Sequence, residues 1–190
     1  MTNFQNSKYM LNKIKKIRQK YILLQQLQLT RVKKIHNLQT AKRIAVIFDI
    51  DEEINWKIIE KFATELGKRD KEMMLLGRKR KKDIDFIINN TSVTVCDEGD
   101  TNFWGVPKNY PVGKFLNQHF DVMIDTIAEP DFFSKYVSLK AIADFKISRD
   151  KDDNEKYFDL LIRIDDGNDG LIYFLKQVLH YMNLITLEKI

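Results

Sequence analysis

The chain has 190 residues, 44% of them apolar and 31% charged, which fits one globular domain with a sizeable core and excludes a disordered chain. No run approaches the ~20 apolar residues of a membrane span, and the single cysteine, Cys96, excludes an intramolecular disulfide and any multi-cysteine zinc site. The net charge of +5 hides a polarity: residues 1–48 hold 11 Lys/Arg and no acid, leaving 21 of the 32 basic groups to face all 27 acidic ones in the remainder.

A basic arm on a mildly acidic body suits a polyanionic partner, or an arm that docks on its own body or on a second copy. The N-terminus lacks the compact apolar segment of a secretory signal. Together with the cysteine usage, this makes a reducing cytoplasm the expected compartment.

In chain order, residues 1–7 read as a frayed tail. From Ser7 to Leu38 there is no Gly or Pro, and Met10, Ile14, Ile17, Tyr21 and Leu24 step by alternating fours and threes. Gln28 and Arg31 interrupt that seam, and Ile35 and Leu38 resume it. The expectation is one amphipathic helix of roughly 30 residues, ~45 Å long. It can pack along its own domain with its lysines solvated, form a dimer, or serve as a nucleic-acid or membrane-surface arm.

Residues 43–48 (RIAVIF) read as a strand, residues 54–66 as a helix with Trp56, Ile59, Phe62, Ala63 and Leu66 on one face, and residues 72–76 as the next strand. The basic run 78–82 reads as an exposed loop. Residues 84–88 and 92–96 read as short strands around Asn89–Asn90, the pattern of a hairpin. After a turn-rich link and a short helix at 112–119, residues 119–148 read as strand, helix, strand, the signature of a right-handed parallel crossover. A polar loop, a strand at 158–164 and a helix at 169–184 follow. The fold class is therefore α/β: a three-layer Rossmann-like domain (41–190) with a largely parallel sheet of five or six strands, preceded by a long basic helix (1–40).

Trp104, Gly105, Val106 and Pro107, the strand Phe120 to Asp125 (FDVMID), and residues 141–148 (AIADFKIS) resemble an uncharacterised bacterial family, a domain of unknown function with a W/F-G-x-P turn, an FDLLIDL-like strand and an AKFKVG-like strand. The resemblance spans residues 40–185 and implies a cytoplasmic α/β domain without an assigned activity. The same strand pair is similar to the N-terminal Rossmann-like half of heptosyltransferase-type glycosyltransferases, with Ser148 where glycine is expected.

Catalytic chemistry has one foothold. Residues 44–54 (IAVIFDIDEEI) end a strand in Asp-x-Asp, which resembles the first motif of haloacid-dehalogenase-type phosphatases. The resemblance implies Asp49 as nucleophile and Asp51 as acid/base, with Mg²⁺ screening the phosphate. Thr126 would then hold a phosphoryl oxygen and Lys146 neutralise the nucleophile. The run Asp165, Asp166, Gly167, Asn168, Asp169 resembles the acidic magnesium motif, so Asp49, Asp51, Asp165, Asp166 and Asp169 form the implied metal set. Against this, Glu52 and Glu53 stand where Gly-Thr is usual, and strand-end acids also cap the following helix; Asp51 and Asp169 suit that role. Neither a dinucleotide-binding nor a P-loop glycine pattern is present, so no organic cofactor is expected. His36, His119 and His180 are isolated in sequence and read as surface or interface groups, and Cys96 as a small core residue.

Three functions follow. The first is a non-catalytic cytoplasmic binding or interaction domain, with a protein partner or a second copy engaging residues 8–38. The second is the degenerate Mg²⁺-dependent phosphatase. The third is an RNA or ribosome contact through the basic arm and residues 78–82.

Overall fold

The computed structural model describes residues 2–27, 31–81, 86, 93–151, 154–164 and 170–186, with side chains from Ser7 onward except Lys8. Six strands form one parallel sheet: β1 Arg43–Asp49, β2 Glu72–Arg78, β3 Val93–Cys96, β4 His119–Asp125, β5 Ile142–Arg149 and β6 Leu160–Ile162. Their order is β3-β2-β1-β4-β5-β6. The chain thus builds outward from β1 in one direction, then returns to its other side and builds outward again. Ligands of such doubly wound sheets bind where that order reverses, outside the carboxyl ends of the two central strands. Here those strands are β1 and β4, in register from Ile44 opposite Val122 to Ile47 opposite Asp125.

Helices cover both faces. On one lie α2 (Glu53–Gly67) and α5 (Gly170–Leu184), packed on Ile44, Val46, Phe48, Val122, Ile124 and Ile147. On the other lie α3 (Val112–Leu116) and α4 (Phe132–Lys140), over Ala45, Ile47, Leu76 and Met123. Both sets of sheet residues are buried, which is why the central strands read as unbroken apolar runs. Trp56 lies in the α2 core face, stacked on Phe48 at 6.2 Å.

The first helix departs from expectation. α1 spans Thr2–Leu27, so it begins inside the expected tail and stops well before Leu38. Residues 31–37 run without helical structure along the amino ends of β4 and β5. Arg31 donates to the carbonyls of Ala143 and Asp144 and to the Asp159 carboxylate, which Lys33 also meets at 3.1 Å. The Lys34 N–H donates to Asp144 O, and that of Leu38 to Met182 O. Leu38 is buried in the core, whereas Ile35 is exposed. These tertiary bonds outweigh the helical preference of a segment that offers no better place for its charges.

β2 also runs further than expected and ends at Arg78, so the basic run does not begin as an exposed loop. Arg78 is buried because its guanidinium covers the Phe133 ring at 4.3 Å. The strand expected at 84–88 lies outside the described residues apart from Phe86. The neighbouring strand expected at 92–96 is β3, parallel to β2. Gly77 lets β2 pass beneath the start of the β1–α2 loop: a Cβ there would meet Ile50 Cδ1 at 2.9 Å, Ile50 Cβ at 3.2 Å and Phe48 Cζ at 3.3 Å. Gly77→Ala is expected to lower the unfolding free energy by about 1–3 kcal/mol through overpacking, read as a lower urea midpoint at unchanged slope.

Candidate functional site

The carboxyl edge at the β1/β4 reversal is built from charge. Asp49 closes β1, Asp125 closes β4, and Asp131 caps α4 by accepting the Ser134 N–H at 2.9 Å while the Ser134 hydroxyl accepts from the Asp131 N–H. Arg80 donates from Nε to Asp49 Oδ1 at 2.9 Å and from Nη2 to Glu129 O at 3.0 Å. It also lies 3.9 Å from Asp131, so one guanidinium ties the β2 end to the β4–α4 loop. Arg78 Nη2 is 3.6 Å from Asp131, too long for a hydrogen bond, and its Nε and Nη1 are buried with the Phe133 ring and the Cys96 thiol beside them and no oxygen acceptor among the described residues.

Burial sets the protonation of this edge. Asp125 is 3% exposed and its carboxyl is pushed up to about 7 by desolvation, against the bonds it accepts from the Ile127 N–H and the Ser138 hydroxyl, both at 3.0 Å. Asp49 is raised for the same reason, with Arg80 pulling the other way. Burial pushes the Cys96 thiol up to about 12 despite the nearby Arg78 guanidinium, so it is not an activated nucleophile.

Asp49 and Asp51 both face the Arg80 segment. Asp51 does not cap α2: its Oδ1 accepts the N–H groups of Arg80 and Lys81 at 2.8 and 2.9 Å, and the N-cap position falls on Glu52, which makes no side-chain cap. The Thr126 hydroxyl donates to Ile47 O at 3.0 Å. Lys146 does not donate to Asp49: its ammonium donates to the carbonyls of Leu139 and of Ser138, whose hydroxyl holds Asp125, and its charge couples to Arg31, Asp159 and Lys33. Asp165, Asp166 and Asp169 lie outside the described residues. Asp125 and Asp131 were not singled out from sequence, and Arg78 only as part of the basic run 78–82 read as a loop or polyanion contact. Only Asp131 had a local signal, an Asp three residues before Ser at the head of an apolar run.

Above this edge, α1 leans on α4. Gln19 donates to Trp104 O at 2.9 Å, across the turn that holds Gly105 at φ +83°. A Cβ on Gly105 would meet Gln19 Nε2 at 3.1 Å and Phe132 Cδ1 at 3.3 Å, so glycine serves both the backbone angle and the close approach of α1. A cleft of about 820 Å³ remains between them, lined by Lys13, Lys16, Arg78, Asp131 and Phe133 among others. The face of α1 turned inward carries Lys15, Gln19, Leu23, Gln26 and Leu27, all half-buried. The opposite face carries Met10, Ile14, Ile17, Tyr21 and Leu24, which are 48–63% exposed. The heptad seam found in the sequence is thus the outer face of the helix and has no cover among the described residues.

A family model described as a family of unknown function, DUF6913, matches residues 14–185. The chain belongs to that family. The match starts at Ile14, inside α1. It also takes in the Trp104-to-Pro107 turn on which the helix rests. No curated protein and no solved structure matches the chain, and the glycosyltransferase likeness gains no support. No described helix is long and apolar enough to cross a membrane.

Proposed function

We propose that this DUF6913 chain is a non-catalytic, cytoplasmic protein-interaction module whose outer α1 face docks an amphipathic helix with acidic flanks. One observation carries the reading: Met10, Ile14, Ile17, Tyr21 and Leu24 stand exposed on the side of α1 directly opposite its packed face. The 4-3-4-3 spacing makes a narrow stripe, as in a helix–helix seam; a helix lying in a lipid surface presents a broader apolar face. Lys13 and Lys20 flank the stripe on one side and Arg18 on the other, and α1 contains no acid. Two copies paired along this seam would set like charges against each other, which destabilises pairing. Glutamate or aspartate beside the partner's seam relieves that repulsion and sets specificity.

The test uses the full chain and a designed four-heptad peptide (about 28 residues) with Leu and Ile in its seam and Glu on both flanks. The expected result is a monomeric chain by light scattering that binds the Glu-flanked peptide and not a Lys-flanked one, with affinity falling as salt rises. Ile17→Glu is expected to weaken binding at least about tenfold. The melting temperature should stay the same, since Ile17 touches no core. A self-associated chain that ignores the peptide would instead make a second copy the occupant. Binding to anionic vesicles or to RNA, without binding to the peptide, would replace the protein partner by that polyanion.

A further inference from the structure

The amino ends of the strands hold a second cluster, far along β4 and β5 from the carboxyl edge, that brings nitrogen and oxygen donors together from three chain segments. His36 comes from the stretch after α1, Asp121 from the start of β4 and Asp144 from the start of β5. One donor atom from each lies within 4.8 Å of the others. We propose that His36, Asp121 and Asp144 bind a first-row divalent transition-metal ion, such as zinc or manganese, with the remaining coordination positions open to water.

The geometry is that of a coordination shell. His36 Nε2 and Asp144 Oδ2 are 3.0 Å apart. Donors at about 2.1 Å from a common ion are about 3.4 Å apart in a tetrahedral shell and about 3.0 Å apart when adjacent in an octahedral one. An ion therefore enters with small side-chain shifts and displaces the proton that His36 shares with Asp144. Two carboxylates balance the charge of a divalent ion, and the imidazole favours a transition metal over magnesium or calcium.

Each donor is already oriented by a further bond, as metal ligands usually are. Asp121 Oδ2 accepts the N–H groups of Lys42 and Arg43 at 2.6 and 2.9 Å. His119 Nε2 lies 2.6 Å from Asp144 Oδ1, the oxygen that does not face His36. His36 Nδ1 lies 3.4 Å from the Thr40 hydroxyl, and the ring is 4% exposed. Asp144 and His119 line a cleft of about 1070 Å³, so the cluster borders open space on its Asp144 side. None of this was visible in sequence, where the donors are isolated from one another; the parallel pairing that sets His119 opposite Ile142 brings them together. A bound ion would fasten the segment after α1 to β4 and β5. The site does not depend on what docks on α1, so either idea can fail alone.

Calorimetric titration of the metal-free full chain with ZnCl₂, and separately with MnCl₂, tests it. The expected result is one equivalent bound with a Kd of about 10 µM or tighter, and no comparable heat with MgCl₂. Asp144→Asn and Asp121→Asn are each expected to abolish that event. His119→Gln, which acts through Asp144, should weaken it about 10- to 100-fold, and the exposed His180→Gln should leave it unchanged. Melting curves taken in chelator show that each variant is folded. In the unmodified chain, Mn²⁺ should broaden nuclear magnetic resonances around residues 36, 121 and 144 first. No saturable binding, equal binding by Asp144→Asn, loss in His180→Gln, or broadening centred elsewhere would each overturn the site.

Discussion

Replacing Asp125 by asparagine is expected to stabilise the protein by about 4 kcal/mol at pH 8 and to leave it unchanged near pH 4. The Asp125 side chain is enclosed by β4, the β4–α4 loop and α4, and desolvation raises its carboxyl from the usual 3.8 to about 7. Below pH 4 the group is protonated in the folded and unfolded chains alike and costs nothing. Between about 4 and 7 the unfolded chain releases the proton that the folded chain still holds, so stability falls as pH rises. Above 7 the loss is complete; repulsion from Asp49 and Asp131 is the smaller part of it, after desolvation. Asparagine has no proton to release. Its carbonyl can still accept the Ile127 N–H, and its amide can donate to Ser138 Oγ, whose hydroxyl turns round to suit. Urea titrations at pH 4.5, 6 and 8 give the comparison. A loss of stability that is equal at all three would mean that the ionised carboxylate is held by its two hydrogen bonds and that burial is not the dominant influence.

The same residue shows what the sequence could and could not tell. Val122, Met123 and Ile124 marked a strand buried on both faces, and the spacing of Trp56, Ile59, Phe62 and Leu66 marked α2, because those signals are local and repeat with the period of the element. The fate of Asp125 was not local. It depends on Ser138 one helix later, on Ile47 in the neighbouring strand, and on a sheet order that no run of residues encodes. Arg78 misled for a related reason. Beside Lys79, Arg80 and Lys81 it reads as part of a solvated run, yet Phe133 and Asp131, brought close by α4, turn it inward. The end of α1 was misread because Ile35 and Leu38 keep the heptad spacing, while Arg31 and Lys33 meet Asp159 and His36 meets Asp144 only when the chain leaves the helix. The 4-3-4-3 spacing from Met10 to Leu24 was legible, but which face of α1 meets the domain was not: Lys15, Gln19 and Leu23 turn inward and the apolar stripe turns out, although the lysines were expected to be the solvated face.

Lys146→Met is expected to reverse sign with pH: a stabilised protein at pH 7 and a slightly destabilised one near pH 10. Lys146 is 1% exposed in the middle of β5, and desolvation, with Arg31 nearby, lowers its ammonium from 10.5 to about 7. Between about 7 and 10.5 the unfolded chain keeps a proton that the folded chain has released, so the wild-type protein gains stability as pH rises through that window. The span corresponds to roughly 5 kcal/mol. Methionine fills a similar volume without a charge and removes the slope. It also removes the donor to the Ser138 and Leu139 carbonyls, which lie in the last turn of α4 and have few other ways to be satisfied. That loss is worth about 1–2 kcal/mol and does not depend on pH. At pH 7 the removed desolvation cost exceeds the lost bonds, and at pH 10 only the lost bonds remain. A variant that is less stable by one fixed amount from pH 6 to pH 10 would show that the ammonium stays charged in the fold, held by the α4 carbonyls and Asp159. Residue 146 would then act as a helix cap and not as a buried amine that titrates near neutrality.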